Sequence, residues 1–260
     1  MKIERHIQYC AHHSINIMTI KDSILIIISA VALILSFISL IITLVQKNRE
    51  TKRTIRKNLS DTLESITKIT IESTKLLASK DTDINSEPII LLRRNYNTHR
   101  RILIAHADYL IDRYDSIVTE IDCNILAGAY STVGDISKAE YYWQKSIDKS
   151  ISSPIKVMNL RGFGIFLFNN EKQDLARKKF YEALSIDLAD NDENKKLKID
   201  TYLMLCDVEI ELGTKENYEK SLIEAMKILS TIKSSQKRNE MHAIISQKLP
   251  ERPHWSKPLT

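Results

Sequence analysis

Few residues of this 260-residue chain have the types and spacing that could do chemistry. His99 and His106 lie seven residues apart, so a helix would place them on one face, and Asp108 follows closely. Two imidazoles beside a carboxylate could contact a metal ion. Pairs of this kind more often lie on a surface or at an interface between helices. We therefore expect no metal site at these residues.

A second small group of ligand-type side chains, Cys10, His12 and His13, lies near the N-terminus. In a short flexible tail nothing positions three such side chains, so we expect no metal site there either. The sequence contains no Gly-rich phosphate loop and no H-E-x-x-H, G-x-S-x-G or C-x-x-C motif. We expect a protein that is not an enzyme and that uses no cofactor or metal ion.

The strongest signal is an apolar run at residues 23–46, which has no charge, no Pro and no Gly. A helix of this length spans roughly 36 Å, and the hydrocarbon core of a bilayer is about 30 Å thick. A cleaved signal peptide is the main alternative, but its apolar part measures only about 7–15 residues and follows a short basic segment. The run predicts a transmembrane helix at 23–46 after a non-cytoplasmic tail at 1–22.

Positive charge is distributed unevenly about this run. The C-terminal flank holds six cations, namely Lys47, Arg49, Lys52, Arg53, Arg56 and Lys57. The N-terminal flank holds three, namely Lys2, Arg5 and Lys21. Because the flank richer in Lys and Arg stays in the cytoplasm, the sequence predicts a single-pass protein of the cell inner membrane with its C-terminal domain cytoplasmic. The basic flank either acts in orientation alone or also attracts anionic headgroups, and both interpretations stay open.

Composition favours an all-α protein. Five Gly and five Pro in the whole chain are few, and chains that avoid both residues over long runs are usually helical. The residues beyond 57 carry a net charge of about −1, which lacks the basic patch of a nucleic-acid-binding protein. Cys123 and Cys206 fall on apolar faces of predicted helices, as buried thiols in a reducing compartment do. The Ile-, Lys- and Asn-rich usage suggests a bacterial source.

Three segments follow the apolar run. Residues 47–80 predict a basic juxtamembrane and amphipathic helix, whose apolar residues recur at Ile55, Leu59, Leu63 and Ile66. Residues 88–249 predict a helical domain whose first helix carries a solvated basic patch that includes Arg100. Residues 250–260 read as an irregular tail, in which Trp255 either docks a partner or packs on its own domain.

A repeating pattern of small and aromatic residues begins near Thr119 and ends near Thr231. Its first two units predict a helical core of small, apolar and aromatic side chains, namely Leu126, Ala127, Tyr130, Ala139, Trp143, Gly164, Ala176 and Phe180. A weaker third unit contains Cys206, Gly213, Ala225 and Met226. Small residues let paired helices approach closely, and Gly134 and Gly213 suit the turns between them.

These residues and their spacing resemble the tetratricopeptide repeat (TPR) family, with about three degenerate repeats. The resemblance implies a helical-hairpin solenoid after the transmembrane helix. It also implies a partner groove lined by the first helix of each pair, which maps to Asn124, Met158, Arg161, Ile165, Phe168, Asn169, Leu203, Asp207 and Ile210. Two features depart from the family pattern. Tyr218 stands where the family has a small residue, and the long polar run at 189–196 is expected to be an inserted loop.

The leading interpretation is a membrane-anchored scaffold that docks a protein or peptide partner at the bilayer. The alternative is a membrane effector or signalling protein, in which the repeats sense and the transmembrane helix oligomerises. Self-association would use a stripe of small side chains, namely Ser29, Ala32, Ser36, Ser39 and Thr43. The amphipathic stripe after residue 55 either extends that pairing or packs on the repeats.

Overall fold

A computed structural model describes the backbone of residues 2–78, 86–212 and 214–248, and side chains within 25–76, 86–212 and 214–246. Every regular element in these ranges is helical, with no strand, so the predicted all-α class is confirmed. Gly213, the tail at 250–260 and the side chains of Cys10, His12 and His13 lie outside the described residues.

The described ranges form nine α-helices and one short 3-10 turn at Asp115–Ile117. The helices are α1 (Lys2–Ala78), α2 (Glu87–Arg113), α3 (Glu120–Thr132), α4 (Ile136–Asp148), α5 (Ser153–Asn169), α6 (Gln173–Ser185), α7 (Asp192–Glu211), α8 (Lys215–Ser230) and α9 (Ser235–Lys248). Contacts divide the chain into two compact units, Met1–Asn58 and Leu59–Thr260.

The first unit consists of the greater part of α1. Its apolar side chains, from Leu25 to Val45, are exposed and none of them is buried by the rest of the chain. This is the one described segment long and apolar enough to cross a membrane by length and composition. Two hydroxyls of the small-residue stripe bond within their own helix, since Ser29 Oγ donates to Leu25 O at 2.8 Å and Thr43 Oγ1 to Ser39 O at 2.9 Å.

The second unit begins with the C-terminal turns of α1, whose apolar face is buried at Leu59, Leu63, Ile66 and Ile69. This face was expected either to extend a pairing between copies or to pack on the repeats. It is buried within the chain, and side chains of this segment bond to α2, which precedes the repeats. Thr62 Oγ1 lies 3.2 Å from Nδ1 of His106.

Arg100 on α2 corrects the expectation of a solvated basic patch, because it is only 3% exposed. Its guanidinium donates to Ser73 Oγ of α1 at 2.8 Å and to Asn97 Oδ1 at 2.9 Å. Burial lowers the pKa of Arg100. This arginine therefore joins α1 to α2 inside the protein.

Three consecutive helix pairs follow, α3 with α4, α5 with α6 and α7 with α8. One turn geometry recurs in all three. An amide donates to a carbonyl five residues earlier, from Asp135 to Tyr130, from Lys172 to Leu167 and from Thr214 to Glu209. This 6→1 bond is typical of the Schellman termination of a helix. In that motif the residue directly before the donating amide adopts a left-handed conformation. Gly134 has φ 81° there, as predicted, while Glu171 takes φ 61° without being glycine.

The predicted core residues are buried, apart from Trp143. Ala139 and Ala176 are fully buried on the second helices of their pairs. A Cβ added to Gly164 would lie 3.0 Å from the ring of Phe180, which accounts for the small residue. In the third unit Cys206 and Ala225 are buried but Met226 is exposed.

Trp143 is only half-buried, which corrects its assignment to the core. Its ring lies against α5, stacked on Phe163 with 6.3 Å between centroids. A Cβ on Gly162 would come within 2.6 Å of the indole, so Gly162 is the tightest glycine of the described chain, and sequence reasoning missed it.

The far end of the unit is closed by α9. Met241 and Ile245 of α9 are buried in one cluster with Ile199 and Leu203 of α7 and Leu229 of α8. The polar run at 189–196, expected to be a loop, is helical from Asp192, because Asn191 caps α7 through the amide of Asn194. The carboxylate of Asp192 accepts from the amides of Lys233 and Ser234, which ties the start of α7 to the residues before α9.

Candidate functional site

The recurring turn gives a register in which the first helices of the three pairs can be compared. On each first helix we take the residues nine, six and two positions before the carbonyl residue of the turn. These positions are spaced at i, i+3 and i+7, so they lie on one face of the helix. They are Ile121, Asn124 and Gly128 on α3, Met158, Arg161 and Ile165 on α5, and Asp200, Leu203 and Asp207 on α7. We call this set the first-helix face.

The exposed part of this face is apolar on α3 and α5. Met158 is 51% exposed and Ile165 is 38% exposed. Ile121, which was not among the predicted groove residues, is also exposed. Its signal in the sequence is its register, because it occupies the position of Met158 one helix pair earlier. Exposed apolar side chains thus stand at matching register on two neighbouring pairs, and we call Ile121, Met158 and Ile165 the apolar strip.

Leu203 was predicted to line the groove, and this is wrong. It is 3% exposed and packs with Ile199, Met241 and Ile245 in the cluster beneath α9. Sequence reasoning placed it by register alone. Leu203 cannot contact a partner because α9 packs on α7 and covers it.

Asn124 is held by a network inside the unit and is half-buried. Its Nδ2 donates to Asn159 Oδ1 at 2.7 Å, and its Oδ1 accepts from Ser146 Oγ at 3.2 Å. Asn159, itself buried, also donates to Ser150 Oγ at 2.9 Å. These bonds join α3, α4 and α5, so Asn124 has a structural role.

Arg161 lies half-buried at the centre of the face. Its Nε is buried and has no hydrogen-bond partner among the described residues. Burial lowers the pKa of Arg161, and the charge of Asp200 partly opposes that shift. The face is thus bordered on the α7 side by carboxylates, and its one central cation is already partly desolvated.

The remaining predicted groove residues divide between core and surface. Phe168 is half-buried and packs on Phe180, Leu205 and Val208. Ile210 is also half-buried, whereas Asn169 and Asp207 are exposed. The structure therefore brings Met158 and Ile165 to one accessible strip and assigns Leu203, with much of Phe168, to packing.

A cleft of about 690 Å³ lies at α2, α3 and α4. Asp108 at its base accepts from Tyr142 Oη and from Lys138 Nζ at 3.2 Å. Burial would raise the pKa of Asp108, but these hydrogen bonds and one from Tyr130 lower it. Burial and Asp108 raise the pKa of Tyr130 and Tyr142. Asp108, Lys138, Tyr130 and Tyr142 thus form one hydrogen-bonded cluster that joins α2, α3 and α4.

The residues singled out for chemistry are dispersed. His99 and His106 are exposed, and His106 contacts Thr62 of α1. Cys123 is buried and burial raises its pKa to about 11, so its thiol is not a reactive nucleophile. Among the described residues no group of three His, Cys, Asp or Glu side chains is placed to hold a metal ion.

Comparisons of this chain with protein-family models, with curated proteins and with solved structures find no match.

Proposed function

We propose that this chain is a single-pass membrane protein whose helical domain docks a protein or peptide partner at the cytoplasmic face of a bacterial inner membrane. In this proposal the chain acts as a scaffold and carries out no reaction. The docking surface is the first-helix face, and the contact residues are Ile121, Met158 and Ile165.

The observation that carries the proposal is the exposure of the apolar segment from Leu25 to Val45. More than twenty consecutive residues without charge present their side chains to the surroundings on every side of a continuous helix. In water such a surface would aggregate, whereas in lipid the helix satisfies all its backbone polar groups internally. A bilayer is the environment that this segment matches.

We further propose that the three helix pairs are TPR-like repeats. The recurring 6→1 turn bond supports this, since its carbonyl residues Tyr130, Leu167 and Glu209 mark steps of 37 and 42 residues. The buried Ala139 and Ala176 stand at one register in the second helices. The family period is about 34 residues, so these would be lengthened units.

The apolar strip supports a partner with apolar side chains. Met158 and Ile165 lie two turns apart on α5, the spacing at which an amphipathic helix or an extended peptide places its own anchors. Met is common on surfaces that accommodate varied partners, because its side chain adapts in shape. We expect an interface of modest affinity.

Site-specific photo-crosslinking in intact cells tests the docking surface. A photo-reactive amino acid at Met158 should give a discrete crosslinked product, whereas the same residue at Met226 should not. Met226 is the matched control because it is also 51% exposed and lies on α8, away from the first-helix face. Equal products at both positions, or at neither, would contradict docking at this face.

The alternative, a sensing protein whose transmembrane helices oligomerise, has less support. Ser29 and Thr43 bond to carbonyls of their own helix, which is how isolated hydroxyls are commonly satisfied in lipid. The amphipathic stripe of α1 is buried against the same chain, so it does not extend a pairing between copies.

A further inference from the structure

The basic flank of the apolar segment is regular in a way that orientation alone does not require. Arg49, Lys52, Arg53 and Lys57 follow one another at i, i+3, i+4 and i+8, and all four are exposed on α1. At 3.6 residues per turn these four positions fall within one sector of about 140°. We call them the basic stripe; Arg56 lies in the same sector but is half-buried.

Like charges at these spacings oppose helix formation. The pairs Arg49–Arg53 and Arg53–Lys57 are four residues apart, and like-charged pairs at i, i+4 destabilise a helix by a few tenths of a kcal/mol each in water. Glu50 is the only acidic residue between 47 and 57. Glu50 and Asp61 are the acidic residues at helix-neighbour spacing from the row, three residues from Arg53 and four from Lys57. Because the cations outnumber these acids, anions from outside the chain would stabilise the row further.

The position of the stripe identifies those anions. Along the helix axis Arg49 lies about 6 Å and Lys57 about 18 Å beyond Val45, where the apolar segment ends. The headgroup zone of one leaflet is about 5–8 Å thick, and charges act over a Debye length of about 8 Å in physiological salt. Long Lys and Arg side chains extend toward headgroups as well. The first three cations therefore lie within reach of lipid phosphates.

We infer that the basic stripe is a binding surface for anionic lipid headgroups, formed on one side of α1. This inference rests on the proposed membrane anchoring. It goes beyond orientation, because it assigns a direct preference for negatively charged lipid to Arg49, Lys52 and Arg53, with Lys57 adding a more distant positive charge. Each cation near an anionic surface contributes up to roughly a fivefold increase in association.

The test uses the full chain in nanodiscs of phosphatidylcholine that contain a trace of spin-labelled lipid. Electron paramagnetic resonance measures the motionally restricted fraction for labelled phosphatidylglycerol and for labelled phosphatidylcholine. The unmodified chain should restrict the anionic lipid preferentially, at a ratio of roughly 2 to 5 for its first contacts. A nanodisc is symmetric, so the orientation of the chain does not affect the ratio.

The variant Arg49→Gln/Lys52→Gln/Arg53→Gln/Lys57→Gln should lower that ratio toward one, since only Lys47 and the half-buried Arg56 remain on this flank. In 1 M salt, where the Debye length is about 3 Å, the ratio should fall to about one. A control variant should keep the preference for anionic lipid. It replaces four exposed cations of the helical domain by Gln, namely Arg94, Lys156, Lys178 and Lys220. It carries the same net charge, so a loss of ratio in both variants would reflect total charge and overturn the inference.

Further outcomes separate this inference from the anchoring itself. If alkaline carbonate extracts the chain from membranes, the anchoring is wrong and the inference with it. If the chain stays inserted but the stripe variant keeps its lipid preference, only the inference is wrong. A stripe variant that inverts in cells yet keeps the ratio would show that these cations act in orientation alone.

Discussion

The buried carboxylate of Glu209 shows what a single polar residue does for this fold. Its side chain is fully buried on α7 and receives two hydrogen bonds of 2.7 Å from the guanidinium of Arg177 on α6. Thr214 shares that guanidinium at 2.8 Å. Burial alone would raise the pKa of Glu209, but the bonds from Arg177 and Thr214 hold it below its usual value.

Removing Arg177 should therefore destabilise the domain strongly. Arg177→Met leaves a buried carboxylate without its main partner, which we expect to cost about 3 kcal/mol of the free energy of unfolding. The matched control, Lys227→Met, breaks an exposed pair with Glu224 and should cost less than about 1 kcal/mol. Urea denaturation of the full chain in detergent, monitored by circular dichroism, measures the free energy of unfolding of both variants. Equal losses of stability in the two variants would contradict the role of Arg177 as the partner of Glu209.

The same pair gives a pH dependence with a definite sign. Because the pKa of Glu209 is lower in the folded state, its contribution is complete above the unfolded-state value of about 4.3 and is lost as pH falls through the folded value. We expect the unmodified chain to lose more stability between pH 5 and pH 3 than Glu209→Gln does. A parallel decline in the two proteins would exclude this linkage.

Two helical glycines should respond to alanine in opposite directions. Gly128 has nothing within 4 Å of an added Cβ, so Gly128→Ala should stabilise the domain by about 0.5–1 kcal/mol through helix propensity. At Gly162 the added Cβ meets the indole of Trp143 at 2.6 Å, and Gly162→Ala should destabilise it by about 1–3 kcal/mol. Denaturation midpoints that shift in the same direction would show that this contact relaxes freely.

Glu171 occupies the left-handed position that Gly134 occupies one pair earlier. A side chain there costs about 1–2 kcal/mol relative to glycine, although glycine also loses more entropy on folding. We expect Glu171→Gly to raise the free energy of unfolding by about 0.5–1 kcal/mol. Glu171→Ala, which keeps the Cβ, should not, and stabilisation by both would point to the charge instead.

At the scale of the elements, periodicity and composition were enough to predict most of the helices. The apolar run, the amphipathic end of α1 and the small residues of α3 to α6 carry local signals that depend on few neighbours. The turn at Gly134 was predictable because glycine there satisfies a backbone requirement. The turn at Glu171 was not, since nothing in the sequence marks a non-glycine residue that adopts positive φ.

The site was less predictable because exposure depends on distant partners. Leu203 and Arg161 occupy the same register on their helices, yet Leu203 is buried in the cluster beneath α9 while Arg161 is half-buried. Sequence reasoning did not separate α9 from the rest of the domain. Arg100 was misjudged for the same reason, because Ser73, which satisfies it, lies 27 residues away along the chain.

The contribution of α9 can be measured directly. Met241 is fully buried among α7 and α8, so Met241→Ala should cost about 2–5 kcal/mol. Asn239→Ala, an exposed substitution on the same helix, should change stability by no more than about 0.5 kcal/mol. If the two variants unfold alike, α9 is not part of the cooperative unit.

At the scale of the whole molecule, the distribution of charge predicts which side of the membrane each part occupies. Six cations follow the apolar run and three precede it. The bias near the ends of a membrane helix determines orientation because Lys and Arg resist transfer across the bilayer. The helical domain should then lie in the cytoplasm and the residues before 23 outside.

The three cysteines of the chain test this orientation without any fusion. Cys10 precedes the apolar run, whereas Cys123 and Cys206 follow it and are buried. A membrane-impermeant maleimide added to intact cells should therefore label Cys10, and Cys10→Ser should abolish the labelling. A reporter fused after Thr260 should be active only if it functions in the cytoplasm. If the maleimide labels Cys10 only after the cells are permeabilised, the N-terminus lies in the cytoplasm. The helical domain, with its first-helix face, would then lie outside the cytoplasm.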